Sequence, residues 1–275
     1  MTAVARTREA LRSARDELAN AGCETPSLDA EVLLADVLGV ERTQLFIDTE
    51  KPLPPAALNA FRARCARRVE HEPVAYITGR RGFRLIELDV DRRVLIPRPE
   101  TELLVEIGLE LPTGSRVLDV GTGSGAVALA LKSERPDLDV SATDASSDAL
   151  AVAQTNAGRL GLDVAFALGD LLAGLEGEWD AVLANLPYVA MGERAALPRD
   201  VAEHEPPEAL FAGHSGLEVV ARLVTEACGC THLLATEVGM GQAPAVEQLM
   251  SDAGFPQVME RHDLAGIARV VVGRR

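Results

Sequence analysis

The feature that most constrains the fold is an alternation of short apolar segments with helical patterns beyond residue 99. Strands are expected at residues 116–119, 140–143, 164–167, 179–184, 233–238 and 268–272. Helices are expected from about Glu100 and at residues 126–132, 148–160 and 244–253. Repeated β–α alternation predicts an α/β fold with a mostly parallel, doubly wound sheet.

The chain before this alternation has a different character. Three helical patterns precede residue 75, at about residues 4–21, 28–38 and 54–70. Pro73, Gly79 and Gly82 interrupt the last pattern and indicate a linker. We therefore expect a small helical domain at residues 1–75, a linker with a β-hairpin at 76–98, and the α/β domain at 99–275. The hairpin is predicted between Leu88 and Leu95.

Charge restricts the classes of partner. The 275 residues contain 27 basic and 42 acidic side chains, a net charge of −15. Residues 1–80 hold 11 basic and 12 acidic side chains, so residues 81–275 hold 16 and 30. A chain that neutralises phosphates should be basic, so we expect no direct nucleic-acid or membrane binding. The start of the chain lacks the apolar block of a signal peptide, which favours the cytoplasm. The four cysteines indicate neither a disulfide framework nor a metal site.

A glycine-rich loop joins the first predicted strand of the α/β domain to a helix. It reads Asp119, Val120, Gly121, Thr122, Gly123, Ser124, Gly125. Glycines there allow a tight turn and let the backbone approach a ligand at the helix N-terminus. The pattern fits a nicotinamide dinucleotide or S-adenosylmethionine. Asp119 favours the latter, because a carboxylate repels a pyrophosphate but accepts hydrogen bonds from the cationic methionine end.

Two further acids follow the next strands. Asp144 ends the second strand, where a carboxylate can accept hydrogen bonds from ribose hydroxyls, although an acidic helix cap is the alternative. Asp170 follows the third strand, where the adenine amino group needs an acceptor.

A tetrapeptide of Asn185, Leu186, Pro187 and Tyr188 follows the fourth strand. The carboxyl ends of parallel strands line one crevice, so it should face the glycine loop. The Asn185 side-chain oxygen and the Leu186 carbonyl can accept both hydrogens of an amide or aromatic amine and direct its nitrogen at a methyl donor. Pro187 would fix the turn, and Tyr188 would pack on the flat substrate group. The alternative is a plain structural turn.

These motifs are part of a longer set that runs in order along the chain. The set includes residues 27–34, 72–79, 95–102, 119–125, Asp144, Asn156, residues 185–188, 205–206, 237–239, Gln242 and residues 269–271. In this order the chain resembles the PrmC/HemK family of protein-glutamine N5-methyltransferases over almost its whole length.

The resemblance implies a Rossmann-like class I S-adenosylmethionine-dependent methyltransferase with a small N-terminal helical bundle. It implies methyl transfer to the glutamine of the Gly-Gly-Gln loop in class I peptide chain release factors, in support of translation termination. Residues 121–125, Asp144 and Asn185 would contact the cofactor, and residues 185–188 would hold the glutamine amide. The helical domain would help to dock the release factor. We expect Arg62, Arg64, Arg67 and Arg68 to contribute to that docking, and we expect a monomer.

Two positions depart from the family pattern. Leu186 stands where the family has proline, and leucine there also matches ribosomal-RNA adenine dimethyltransferases. Leu171 follows Asp170, where some members have an aromatic residue over the adenine, and its aliphatic side chain can still cover one face of the ring. The alternatives are therefore an RNA adenine-N6 methyltransferase and a non-catalytic release-factor binding module. A dehydrogenase is disfavoured, since no residues for hydride transfer accompany the glycine loop.

Overall fold

The computed structural model describes residues 6–175 and 177–275 and divides the chain into two compact units. One unit comprises the residues up to Gly79 together with Pro198–His204, and the other comprises Arg80–Leu197 and Glu205–Arg275. The segment Pro198–His204 lies within the range predicted for the α/β domain. Its place in the first unit is therefore not foreseen by the sequence pattern.

The first unit is helical. Its helices are Thr7–Asn20, Pro26–Leu38, Arg42–Ile47, Pro55–Val69, Val74–Thr78 and Arg199–His204. The three predicted helical patterns are confirmed, and the second ends at Gly39, which adopts the left-handed conformation typical of a helix C-terminus. The core contains the fully buried side chains of Leu18, Leu33, Leu34 and Phe61.

A buried ion pair crosses this core. Arg68 Nε donates to Asp29 Oδ2 at 2.7 Å, and both side chains are 7% exposed. Asp200 Oδ2 lies 3.7 Å from Arg68 Nη1, so the same guanidinium also attracts the segment Pro198–His204. Because a buried charge needs a partner of opposite charge, Arg68 links the helix that carries Asp29 to the segment that carries Asp200.

The predicted docking role is wrong for Arg68, which is buried, while Arg64 and Arg67 are partly exposed and ion-paired. Arg68 is buried, Arg64 pairs with Asp36, and Arg67 Nε donates to Glu72 Oε2 at 2.7 Å. A helical face rich in arginine looks like a free basic surface in the sequence. The acids that neutralise it come from other helices and loops, which only the tertiary structure brings near.

The second unit begins with a two-stranded antiparallel sheet, β1 (Arg80–Phe83) and β2 (Ile86–Asp89). The hairpin predicted between Leu88 and Leu95 is therefore wrong. Its turn lies at Arg84, whose φ of 48° is unusual for a residue other than glycine. The Arg84 side chain pairs with Glu134 at 2.5 Å, and its backbone N–H donates to Glu102. Partners remote in sequence stabilise this turn, so no local turn motif marks it.

The main sheet of this unit has seven strands in the described part of the chain. They are β3 (Arg116–Val120), β4 (Asp139–Asp144), β5 (Ala165–Leu168), β6 (Trp179–Ala184), β7 (Thr231–Glu237), β8 (Gln257–His262) and β9 (Ala268–Arg274). Their order is β5-β4-β3-β6-β7-β9-β8. The pairs from β5 to β7 are parallel, and β9 runs antiparallel to both neighbours. The predicted mostly parallel, doubly wound sheet is confirmed.

Helices connect these strands. They are Glu102–Leu109, Ala126–Glu134, Ser147–Leu160, Glu218–Ala227 and Ala243–Asp252, with 3-10 turns at Pro99–Thr101, Met191–Ala196 and Pro207–Ala209. Across residues 6–175 and 177–275, no helix combines the length and apolar character needed to cross a bilayer.

Among the strands of the main sheet and the α-helices that connect them, two elements were not predicted from the sequence. The helix Glu218–Ala227 follows a long irregular segment that carries no strong start signal. Strand β8 reads Gln-Val-Met-Glu-Arg-His and lies at the edge of the sheet, where β9 is its one partner among the described strands. An edge strand has one neighbour and exposes more of its side chains, so β8 lacks the nearly continuous buried run of the central strands β3, β6 and β7.

The buried pair in the helical unit supports a stability prediction. Asp29→Asn is expected to lower the free energy of unfolding by about 3 kcal/mol, because it leaves the buried Arg68 guanidinium without its main partner. Arg64→Met, which breaks a partly exposed pair, should cost less than about 1 kcal/mol. Urea unfolding followed by circular dichroism measures both. Equal, small losses would show that the buried pair does not support the unit.

Candidate active site

The candidate site lies where the strand order reverses. Strands β4 and β5 lie on one side of β3, and β6 and β7 lie on the other. In such a sheet the ligand crevice opens at the carboxyl ends of the two central strands. Val120 and Ala184, the last residues of β3 and β6, are paired in register. The glycine loop and the tetrapeptide therefore leave the sheet next to each other, as predicted.

A cavity of about 570 Å³ occupies this position. Most of the predicted site residues line it, namely Asp119, Gly121, Thr122, Gly123, Ser124, Asp144, Asp170, Leu171, Asn185, Leu186 and Pro187. The predicted site residues Gly125 and Tyr188 are not among the residues that line it. Further lining residues include Arg93, Glu208, Phe211 and Arg222. These come from segments whose sequences carry no motif, so the sequence analysis did not find them.

The glycine loop wraps over the end of β4. The N–H groups of Gly121 and Thr122 both donate to the Thr143 carbonyl, at 2.9 and 3.0 Å. Gly121 has a φ of 73°, and a Cβ there would lie 3.0 Å from Leu186 Cδ2. Glycine is required because the loop and the tetrapeptide are in contact. Asn156, fully buried, donates to the Ser124 carbonyl at 3.0 Å and supports the loop from below.

Asp119 is buried beneath this loop. Its Oδ2 accepts hydrogen bonds from the Thr122 hydroxyl at 2.6 Å and from the Ala128 N–H at 3.1 Å. Burial raises the pKa of this carboxyl to about 6, and the two donors partly oppose that rise. Asp119 thus fixes the loop to the start of the following helix as well as lining the cavity.

Asp144 is the best placed acid for a hydroxyl-bearing ligand. Its Oδ2 accepts from the Gly123 N–H at 2.8 Å and its Oδ1 from the Ser146 N–H at 2.9 Å. Each carboxylate oxygen retains a second lone pair that can face the cavity. Burial raises the pKa of Asp144, while the backbone donors lower it. The carboxylate is therefore rigidly oriented before any ligand binds.

Asp170 is held differently. Its carboxylate is well exposed and pairs with Arg222 at 2.7 Å. Leu171, next in the chain, is buried and adopts a φ of 55°, which is costly for a side chain of this size. The neighbouring Leu172 N–H donates to Glu226 at 3.0 Å, which helps to hold this turn. The turn places Leu171 on the cavity wall.

The charge of the lining discriminates between ligands. Four acids line the cavity: Asp119, Asp144, Asp170 and Glu208. The lining arginines are both paired, Arg93 with Asp91 at 2.6 Å and Arg222 with Asp170. An acidic wall repels a pyrophosphate, whereas it attracts a sulfonium with an ammonium group. The residues present therefore fit S-adenosylmethionine better than a dinucleotide.

The tetrapeptide presents acceptors to the cavity. Asn185 Nδ2 donates to Thr101 Oγ1 at 3.0 Å. The amide oxygen, Asn185 Oδ1, is therefore left to accept hydrogen bonds from other groups. Within the described residues, no group donates a hydrogen bond to the Leu186 carbonyl. The Leu186 side chain is 6% exposed and packs in the core against Gly121. Leucine at this position is thus a packing residue with an available backbone oxygen.

The end of the tetrapeptide is fixed from two sides. Gln242 Nε2 donates to the Tyr188 carbonyl at 2.9 Å, and its Oε1 accepts from the Gly239 N–H at 2.9 Å. Gly216 passes so close that a Cβ would lie 2.3 Å from the Tyr188 carbonyl oxygen. The Tyr188 hydroxyl donates to Glu237 at 3.4 Å, and burial raises its pKa to about 12. Tyr188 remains a neutral donor at physiological pH.

The sequence missed Thr101 and Glu237 as parts of this site. Both are buried, and Thr101 Oγ1 donates to Glu237 Oε2 at 2.6 Å. Thr101 lies within the segment 95–102 that carries the family resemblance, and Glu237 ends β7. An acid at the carboxyl end of a central strand of this kind of sheet was the available signal for Glu237.

The chain matches known proteins over nearly its whole length. A family model for the PrmC N-terminal domain matches residues 9–79, and a model for the methyltransferase small domain matches residues 99–204. The release factor glutamine methyltransferase of Deinococcus radiodurans is 39% identical over 274 residues, covering 98% of each chain. That of Burkholderia pseudomallei is 43% identical over 264 residues, covering 90% of this chain and 92% of the other.

Solved structures share the fold at low identity. The hMettl16 catalytic domain, in complex with the MAT2A 3'UTR hairpin 1, matches with a TM-score of 0.57 and 16% identity, over 77% of this chain and 80% of that chain. A methyltransferase from Pyrococcus furiosus matches with a TM-score of 0.51 and 17% identity, over 68% and 88%. Both likenesses indicate the methyltransferase fold alone. The near end-to-end identity with the curated relatives shows more: this chain belongs to the family of release factor glutamine methyltransferases.

Proposed function

We propose that this protein transfers a methyl group from S-adenosylmethionine to the side-chain amide nitrogen (N5) of the glutamine in the Gly-Gly-Gln motif of class I peptide chain release factors. The observation that carries the proposal is the position of the Asn185 carboxamide and the available Leu186 carbonyl on the wall of the cavity that the glycine loop and Asp144 also line. The relatives that match this chain over nearly its whole length are named for this activity.

Binding of the cofactor would use the residues around the glycine loop. Asp144 would accept hydrogen bonds from the ribose hydroxyls through lone pairs that the Gly123 and Ser146 donors leave available. Asp119 and the glycine loop would face the methionine part, and Leu171 and Asp170 the adenine. When bound, S-adenosylmethionine supplies an electrophilic methyl group carried by a sulfonium.

The tetrapeptide would prepare the nucleophile. An amide nitrogen is weakly nucleophilic because its lone pair is delocalised into the carbonyl. When Asn185 Oδ1 and the Leu186 carbonyl accept its two N–H hydrogens, the nitrogen gains electron density and its lone pair points towards the methyl donor. The N-methylated amide is acidic enough to lose its extra proton to water, so the site needs no strong base.

The alternative of RNA adenine-N6 methylation rested on leucine as the second residue of the tetrapeptide. The Leu186 side chain packs in the protein core and contacts Gly121. It therefore offers the substrate only a backbone carbonyl, which serves an amide as well as an adenine amine. The acidic cavity lining and the net charge of −15 favour a protein substrate over RNA.

The substrate is tested directly. The protein is incubated with methyl-labelled S-adenosylmethionine and a purified class I release factor, and mass spectrometry locates the label. We expect one methyl group on the glutamine of the Gly-Gly-Gln peptide and none when that glutamine is replaced. Label in ribosomal RNA, with an unmodified release factor, would replace this proposal with the RNA alternative.

We further propose that the helical unit docks the release factor, and that the enzyme acts as a cytoplasmic monomer without nucleic acid. Light scattering coupled to size-exclusion chromatography measures the mass in solution. Nuclease treatment of the methylation assay tests for a nucleic-acid requirement.

Asn185→Ala is expected to lower kcat on the release factor by about 10² to 10³, the range typical for loss of one preorganised polar contact in the transition state. The Kd for S-adenosylmethionine, measured by calorimetry, should change by less than about threefold, because Asp144 and the glycine loop are untouched. Turnover at the wild-type rate would show that the glutamine amide is held elsewhere.

Asp144→Asn is expected to weaken S-adenosylmethionine binding by about tenfold or more, because it removes a charge-assisted acceptor and places an amide group against two backbone N–H donors. Asp148→Asn is the matched control, since Asp148 is exposed, carries the same charge and lies outside the cavity lining. Calorimetry measures both affinities. Equal effects of the two variants would mean that Asp144 acts only through net charge.

A further inference from the structure

Four polar groups form a connected set behind the tetrapeptide. Asn185 Nδ2 donates to Thr101 Oγ1 at 3.0 Å, and Thr101 Oγ1 lies 2.6 Å from Glu237 Oε2. The Tyr188 hydroxyl reaches Glu237 Oε1 at 3.4 Å. Thr101 is 3% exposed and Glu237 is 4% exposed, so water does not compete for these contacts. Glu237 does not line the cavity, and the mechanism above does not use it.

The hydroxyl of Thr101 has one proton to donate. An ionised Glu237 carries no proton, so the short contact between them requires Thr101 to donate to Glu237. Thr101 Oγ1 can then only accept from Asn185, and the only donor on the Asn185 side chain is its NH₂ group. The Asn185 Oδ1 is therefore left for the cavity, where the substrate amide needs an acceptor.

We propose that Glu237 is a positioning residue that, acting through the Thr101 hydroxyl, sets which way the Asn185 carboxamide faces. The inference rests on the proposed function, since the required orientation follows from an amide substrate. A carboxamide turned by 180° has nearly the same shape but presents a donor where the substrate also presents donors. Shape alone does not select the orientation, whereas the direction of this hydrogen-bond chain does.

Protonation of Glu237 reverses the chain. A neutral Glu237 can donate to Thr101 Oγ1, and Thr101 is then free to donate to Asn185, which stabilises the inverted carboxamide. The groups that face Glu237 are Thr101, Glu100, Tyr188 and Arg269. Burial raises the pKa of Glu237 to about 7, Glu100 adds to the rise, and Thr101, Tyr188 and Arg269 oppose it. The ionised form that orients Asn185 correctly is populated above this pKa.

The first test separates kcat from cofactor binding. Thr101→Val and Glu237→Gln should each lower kcat on the release factor by about tenfold or more, because the carboxamide loses its directional partner. The Kd for S-adenosylmethionine should stay within about threefold of wild type in both. Thr101→Ser keeps the hydroxyl and should recover most of the activity. Thr225→Val, which removes an exposed helical hydroxyl, is the matched control and should keep the wild-type kcat.

The second test asks whether Glu237 acts through Thr101. In a double-mutant cycle, Glu237→Gln should lower kcat by less than about twofold when Thr101 is already valine, although it is costly in the wild type. Full, independent losses in the double variant would overturn the inference, because they would mean that the two residues support the site separately. Melting temperatures of all variants identify any that fail to fold.

The third test uses pH. At saturating substrates the wild-type kcat should rise between pH 6 and 8 with an apparent pKa near 7, as Glu237 ionises. This limb should be absent in Glu237→Gln and present in the Thr225→Val control. A limb that persists unchanged in Glu237→Gln overturns the inference.

Failure of the inference differs from failure of the proposed function. If wild-type protein places no methyl group on the Gly-Gly-Gln glutamine, the proposed function fails. If wild-type protein methylates this glutamine while Glu237→Gln and Thr101→Val keep full kcat, the function stands and the positioning role of Glu237 is wrong.

Discussion

The parallel pairing of β3 with β6 is the constraint on which the candidate site depends. Because Val120 lies opposite Ala184, the chain leaves the sheet at Gly121 and at Asn185 side by side. These two exits are in contact, since Leu186 packs where a side chain on Gly121 would lie. One register between two strands thus sets the relation between the glycine loop and the tetrapeptide. A shift of the register would separate them.

Support for the tetrapeptide comes from residues outside its own sequence. Gln242 holds the Tyr188 carbonyl, the backbone at Gly216 passes close behind it, and Thr101 receives the Asn185 amide. Buried polar groups need partners, and here each partner comes from a different connection of the sheet. The contacts with Gln242, Gly216 and Thr101 restrict the orientation of the polar groups of the tetrapeptide. Its hydrogen-bond acceptors are therefore held in fixed positions.

The excess of acidic residues in the chain includes acids that line the cavity. The surplus lies beyond residue 80, and four of those acids line the cavity while its lining arginines are paired. In the helical unit the charges are nearly balanced, and its arginines are largely consumed by internal pairs such as Arg68 with Asp29. The negative net charge of the chain is therefore reflected in the acidic lining of the cavity and not in the charge balance of the helical unit.

Local pattern determined much of this protein. Apolar segments between helical patterns predicted the parallel sheet, because alternation and helix signals are properties of neighbouring residues. The glycine loop, Asp144 and the tetrapeptide were found because motifs at the ends of consecutive strands meet at one edge of such a sheet. The turn at Arg84 and the pairing of Arg64 and Arg68 were not found, since the acids that they contact lie far along the chain. The edge strand β8 was not found because it lacks a continuous apolar run. Only the tertiary structure decided that Thr101 and Glu237 meet behind Asn185, because a hydrogen-bond chain depends on distances between elements that no local pattern contains.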